Sequence, residues 1–161
     1  GEVMGIDKDF GMAFAKSQIG SGSKIPTGGS VFVSVKDGDK DKILRPVSEL
    51  FSLGFQIYAT DGTAEFFNKN NIKAEKINKV LQGSPHIVEM ISEKKISLVF
   101  NTTETPQAIK DSKSIRRSAL ESETPYYTTV SGANAAVMAI KAIKNNEMTV
   151  ETIQSFGESL N

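Results

Sequence analysis

The sequence predicts an α/β protein: a single Rossmann-like parallel sheet flanked by helices, preceded by an N-terminal helix and a linker. Three observations carry this reading. Short β-branched and aromatic runs alternate with stretches of helical period from residue 31 onward. The segment Ile19 to Ser30 is rich in Gly and Ser around Pro26, the makeup of a linker. The chain has 161 residues, of which 39% are apolar, enough to bury one core.

Taken in order, residues 7–18 place Phe10, Ala13, Phe14 and Ser17 on one face, with Asp7 available as N-cap. This predicts a short amphipathic helix, and a domain boundary follows near residue 30. The first strand is predicted at 31–35, then a helix running through Leu53. Pro46 lies inside that stretch, so the regular helix is expected to begin near it, with a turn before. A second strand at Phe55–Ala59 leads into a helix over Thr63–Asn70. Further strands are predicted at Lys73–Ile77, Ser97–Phe100 and Tyr126–Thr129, and further helices at 85–94, 113–121, 132–144 and 149–158.

Composition excludes several functions. Nineteen basic side chains balance nineteen acidic ones, so no broad basic field exists to hold nucleic acid or an anionic membrane surface. Any anion site must be local. With no cysteine and one histidine, disulfides, zinc-thiolate sites and thiol nucleophiles are excluded, and a reducing compartment fits. No apolar run is long enough to span a bilayer and no leader opens the sequence, so a cytoplasmic location is expected. The opening Gly1-Glu2-Val3-Met4-Gly5 reads as mid-chain sequence, the mark of a piece of something larger, though tag removal gives the same start.

In open parallel sheets, ligands sit beyond the carboxyl ends of the strands. Those positions are rich in hydroxyls here: Ser34-Val35-Lys36-Asp37-Gly38-Asp39-Lys40, Thr60-Asp61-Gly62-Thr63 and Asn101-Thr102-Thr103. A Gly at the head of a helix lets amides approach a phosphate while Thr hydroxyls donate to it. The same residues also make an ordinary tight turn with Thr as N-cap, and polar residues also end buried strands. Lys40 and Lys79 can serve a phosphate as point charges or sit solvated at the surface. His86 follows Pro85 at a helix start and reads as structural. Arg116 and Arg117, with Asp111 and Glu121 nearby, read as exposed ion pairs. Neither a serine triad, a Walker loop nor a dinucleotide-binding glycine fingerprint is present. The residues alone lead to an α/β domain with a hydroxyl-rich anion crevice.

Several motifs, taken together, resemble the methylglyoxal synthase-like domain in the form that closes the large subunit of carbamoyl phosphate synthetase. They are Ser34 to Lys40, Thr60 to Ala64, Asn78-Lys79-Val80, Gly83-Ser84-Pro85-His86-Ile87, Asn101-Thr102-Thr103 and Ile115 to Leu120. Residues 1–15 look like the end of the preceding ATP-grasp synthetase unit, and the resemblance covers essentially the whole chain. It implies a division into residues 1–30, the end of that unit with its linker, and 31–161, the allosteric domain. Cut away from the rest of the subunit, residues 1–30 are expected to be poorly ordered or packed against a neighbour.

The resemblance also implies binding of a nucleotide monophosphate such as UMP or IMP at Ser34, Lys40, Thr60, Thr63, Lys79, Asn101, Thr102 and Thr103. Tyr126 and Thr128 match one half of an ornithine site whose opposing acidic residues lie outside this chain, so ornithine is not expected to be held. Catalysis is expected elsewhere in the parent, a glutamine-hydrolysing ligase that makes carbamoyl phosphate for pyrimidine and arginine biosynthesis. That parent is expected to use ATP with Mg or Mn, whereas no cofactor is expected in this chain. The expected partners are the effector, the remainder of the large subunit and the glutaminase small subunit, with a homo-oligomer left open and neither nucleic acid nor membrane among them. The alternative is a small phosphate-eliminating lyase of the methylglyoxal synthase type. Such enzymes carry histidine after the first strand and aspartate after the fourth, where this chain has Lys36 to Lys40 and Asn101-Thr102-Thr103. Asp61 departs from the expected pattern in another way, placing negative charge beside the phosphate turn.

Overall fold

The computed structural model describes residues 2–102, 106–146, 148–150 and 152–158. Five parallel strands form one sheet: β1 (Ser30–Ser34), β2 (Gln56–Ala59), β3 (Ala74–Lys76), β4 (Leu98–Asn101) and β5 (Tyr126–Tyr127), in the order β3-β2-β1-β4-β5. The helices are α1 (Phe10–Gly20), α2 (Lys40–Ser52), α3 (Asp61–Lys69), α4 (Ile87–Ser92), α5 (Pro106–Glu121), α6 (Val130–Asn145) and α7 (Ile153–Glu158). The chain builds outward from β1 through β2 to β3, then returns to the other side of β1 at β4. That reversal puts a topological switch point between the carboxyl ends of β1 and β4.

Central strands buried on both faces must be apolar throughout, and Val31, Phe32, Val33, Leu98, Val99 and Phe100 meet that demand. Alternation then assigns the faces. Val31 and Val33 pack with Ile43, Val47 and Leu50 of α2, Phe67 of α3 and Ala133 and Ala136 of α6. Phe32 and Val99 point the other way, onto Ile87 and Ile91 of α4 and Ile115 and Ala119 of α5. The result is a three-layer sandwich with β1 at its centre.

Three local expectations are corrected. Helix α1 is capped by Asp9, whose carboxylate accepts from Met12 N at 2.9 Å; Asp7 instead accepts from Asp9 N and pairs with Lys16 at 2.7 Å. Helix α2 begins at Lys40, straight after a 3-10 turn at Asp37–Asp39, so Pro46 lies inside it. Proline removes the hydrogen bond to the Lys42 carbonyl, a cost of about 3 kcal/mol. The spacing Ile43, Pro46, Val47, Leu50 puts all four on one buried stripe, and that burial outweighs the lost bond. Helix α5 also starts earlier than predicted, with Pro106 at its first position, where a missing N–H does no harm.

Residues 10–20 pack against the sheet domain itself. Met12 and Ala15 of α1 bury Ala139 and Ala142 of α6. Gly11 comes so close that a Cβ there would lie 2.5 Å from the Met138 carbonyl oxygen. Phe14 packs its ring tilted at 43° to that of Tyr127, with centroids 6.4 Å apart, and the Tyr127 hydroxyl donates to Gln18 Oε1 at 3.1 Å. Burial pushes the Tyr127 phenol up to about 12 from an ordinary 10.0. The neutral form is therefore favoured by folding: stability should hold up to about pH 10 and fall as pH rises from there toward about 12. Urea unfolding at about pH 9 and about pH 11 should show that fall, and Tyr127→Phe should flatten part of it.

Candidate functional site

The carboxyl ends of β1 and β2 bring four of the predicted residues, Ser34, Lys40, Thr60 and Thr63, to one polar edge. Ser34 closes β1, Thr60 follows β2 as the residue before α3, and Thr63 sits in the first turn of α3. Thr60 Oγ1 lies 3.3 Å from Ser34 Oγ and 3.3 Å from Thr63 Oγ1, and donates to one or the other. Although Thr60 occupies the N-cap position, its side chain makes no capping bond to the helix. Its hydroxyl is committed to the cluster instead. Thr63 is 2% exposed, and its Oγ1 accepts a long 3.5 Å contact from Val35 N.

Lys40 lies over the same turn: a Cβ built on Gly62 would sit 3.5 Å from its Nζ. The ammonium is thus within van der Waals reach of the bare glycine turn at the head of α3. Lys40 Nζ is held at 2.8 Å by Asp37. On the other side, Asp61 Oδ1 pairs with Lys76 Nζ at 2.9 Å. Lys76 ends β3 and stands in register with Ala59, and the sequence reading passed over it.

The other predicted residues are distributed differently. Thr102 ties the β1 and β4 loops together, its N–H donating to the Ser34 carbonyl at 2.9 Å and its Oγ1 accepting from Lys36 N at 3.1 Å. Asn101 is 3% exposed and donates through Nδ2 to Ser112 Oγ at 2.9 Å and to Tyr126 OH at 2.7 Å, toward α5. Its amide nitrogen thus serves the packing of β4 against α5. Lys79, before a 3-10 turn at Val80–Gln82, lies 3.5 Å from Asp111 of α5. Thr103 lies outside the described residues. His86 caps α4, its Nδ1 accepting from Glu89 N at 3.3 Å while the Glu89 carboxylate accepts from His86 N at 2.9 Å. The bonds from His86 N and Ser84 hold that carboxyl below its ordinary range.

A cavity of about 420 Å³ opens at the switch point, lined by Lys36, Lys42, Thr102, Thr128, Thr129 and Ser131 among others. Thr128 belongs to it, whereas its predicted companion Tyr126 turns its hydroxyl to Asn101. Burial raises the Tyr126 phenol above its ordinary value. Of the residues around this cavity, Lys42, Thr129 and Ser131 were missed by the sequence reading. The signal for Thr129 and Ser131 was their place at a helix start, and Thr129 does cap α6, accepting from Gly132 N at 3.0 Å. A larger groove of about 570 Å³ runs between residues 4–8, α1 and the segment 148–156; it contains none of the predicted residues. No helix among the described residues is long and apolar enough to cross a membrane.

The profile of the MGS-like domain matches residues 42–128, more than half of the sequence. The chain belongs to the MGS-like domain family. As a whole, this MGS-like domain chain is 48% identical over 159 residues to the carbamoyl phosphate synthase large chain of Brucella suis, spanning 99% of this chain and 14% of that protein. It is 51% identical over 156 residues to the large chain of Mesorhizobium japonicum, spanning 97% and 13%. With the carbamoyl phosphate synthase large chain of Methanobrevibacter smithii it shares 49% identity over 154 residues, spanning 95% and 14%. The chain thus spans about one seventh of the length of these relatives. Among solved structures, the methylglyoxal synthase of Elizabethkingia anophelis superposes with a TM-score of 0.56 at 18% identity, over 71% of this chain and 80% of that one. That likeness is one of fold, and it agrees with the parallel sheet flanked by helices.

Proposed function

We propose that this MGS-like domain is an effector-binding regulatory module of a carbamoyl phosphate synthetase large subunit, and that it takes a nucleotide monophosphate such as UMP or IMP. The observation that carries the reading is the Ser34, Thr60 and Thr63 cluster at the head of α3, with Lys40 lying over Gly62. Three hydroxyls, a bare turn and an ammonium match the three acceptor oxygens and the negative charge of a phosphomonoester. In the longer protein, residues 1–30 would join an ATP-grasp unit and residues 31–161 would regulate it. Catalysis would then rest on ATP with Mg or Mn and on ammonia from a glutaminase subunit, all in the cytoplasm. An effector acts there only through unequal affinity for two states of the synthetase.

Calorimetric titration with UMP and then IMP, at low phosphate, is the direct test. Saturable binding is expected. Lys40→Ala and Thr63→Val should each weaken it by about 1–3 kcal/mol, the range for a charge-assisted hydrogen bond lost in a partly buried site. Unchanged affinity in both variants would move the pocket away from α3. Incubation with dihydroxyacetone phosphate should yield no methylglyoxal; its formation would make the chain a lyase.

A further inference from the structure

The lysines that flank the α3 turn are each engaged by a carboxylate. Lys40 is held by Asp37 at 2.8 Å and Lys76 by Asp61 at 2.9 Å. Of these acids, Asp61 has the more consequential place. It is the first residue of α3, next to Thr60, where a helix terminus favours negative charge. In the absence of ligand, the Asp61 carboxylate is therefore the anion that the helix dipole and Lys76 already serve.

We infer that Asp61 is an internal competitor for the phosphate subsite and that Lys76 is the cation for which carboxylate and phosphate compete. This rests on the phosphate reading above. The geometry supports it on three counts. Lys76 is aligned with Ala59, the residue before Thr60, on a strand about 4.8 Å away. Its long side chain already reaches the first residue of α3, as the ion pair shows. The pair is open to water, with side-chain exposures of 52% for Lys76 and 71% for Asp61, so exchanging partners needs little rearrangement and the resting pair is weak. An arriving phosphomonoester draws Lys76 from Asp61 while being repelled by the carboxylate left behind. The site is thereby tuned to release its ligand more readily than its hydroxyls and lysines alone would allow.

The test is a binding cycle on the 161-residue chain with UMP as probe and uridine as the phosphate-free control. Asp61→Asn, which keeps size and removes charge, should tighten UMP binding about three- to tenfold and leave uridine unaffected. Lys76→Met should weaken UMP binding about threefold, and the gain from Asp61→Asn should shrink when Lys76 is absent, because the freed lysine carries part of it. If the parent binds UMP and Lys40→Ala weakens it, while Asp61→Asn changes nothing or weakens binding, the competitor role is wrong and the phosphate reading stands. Binding by Asp61→Asn where the parent shows none supports the competitor directly. Absence of binding in parent and Asp61→Asn alike overturns both readings together.

Discussion

Replacing Phe32 with alanine is expected to lower the unfolding free energy by about 3–5 kcal/mol. Phe32 is fully buried at the centre of the middle strand and fills the space between the sheet and helices α4 and α5. Removing the ring loses its transfer free energy and leaves a cavity that β1 cannot close, because both of its edges are hydrogen-bonded to neighbours. A domain of this size holds roughly 5–15 kcal/mol in total, so the change removes a large fraction. The urea midpoint should fall with little change in slope. Under conditions where the variant remains folded, UMP affinity should stay close to that of the parent. A midpoint shift worth less than about 1 kcal/mol would mean that β1 is not the shared centre of the two faces.

Substitution of Gly11 by valine is expected to destabilise by about 1–3 kcal/mol and to loosen α1. Helix propensity argues the other way, since glycine in a helix is about 0.5–1 kcal/mol worse than alanine. Steric contact decides the sign. The new Cβ would sit 2.5 Å from the Met138 carbonyl oxygen and 2.8 Å from its carbon, both backbone atoms of α6 that no rotamer change can move. Helix α1 must back away, and the Gln18 to Tyr127 bond and the burial of Met12 and Ala15 go with it. Hydrogen exchange should rise over residues 10–20 while β1 and β4 stay protected. Unchanged exchange in α1 would show that the close approach of the two helices is not what fixes it.

The sheet and its order of elements were legible because apolar runs such as Val31–Val33 and Leu98–Phe100 are short, β-branched or aromatic, and separated by helical periods. Sequence failed where two short-range rules competed. Asp7 and Asp9 are both competent caps, and only the three-dimensional path of residues 6–9, with Lys16 drawing Asp7 away, selects between them. Pro46 read as a helix boundary because its missing N–H is a local property, whereas the burial that compensates depends on packing against the sheet. The clustering of Ser34, Thr60 and Thr63 at the candidate site follows from their positions at strand ends, which topology brings together. Asn101 was also placed at that edge, but its amide partners, Ser112 and Tyr126, come from elements up to 25 residues away. The Asp61 to Lys76 pair is of the same kind. It spans two secondary-structure elements, and spacing along the chain carries no mark of it.

Helix α6 holds four buried alanines, Ala133, Ala136, Ala139 and Ala142, and its two small-residue faces are closed by different partners, the sheet below and α1 above. Helix α1, which lies before the compositional border near residue 30, is thus packed on a helix that lies after it. A shortened polypeptide starting at residue 30 would keep every strand yet leave Ala139 and Ala142 bare. A graft that is to keep this face of α6 covered has to carry α1 with it.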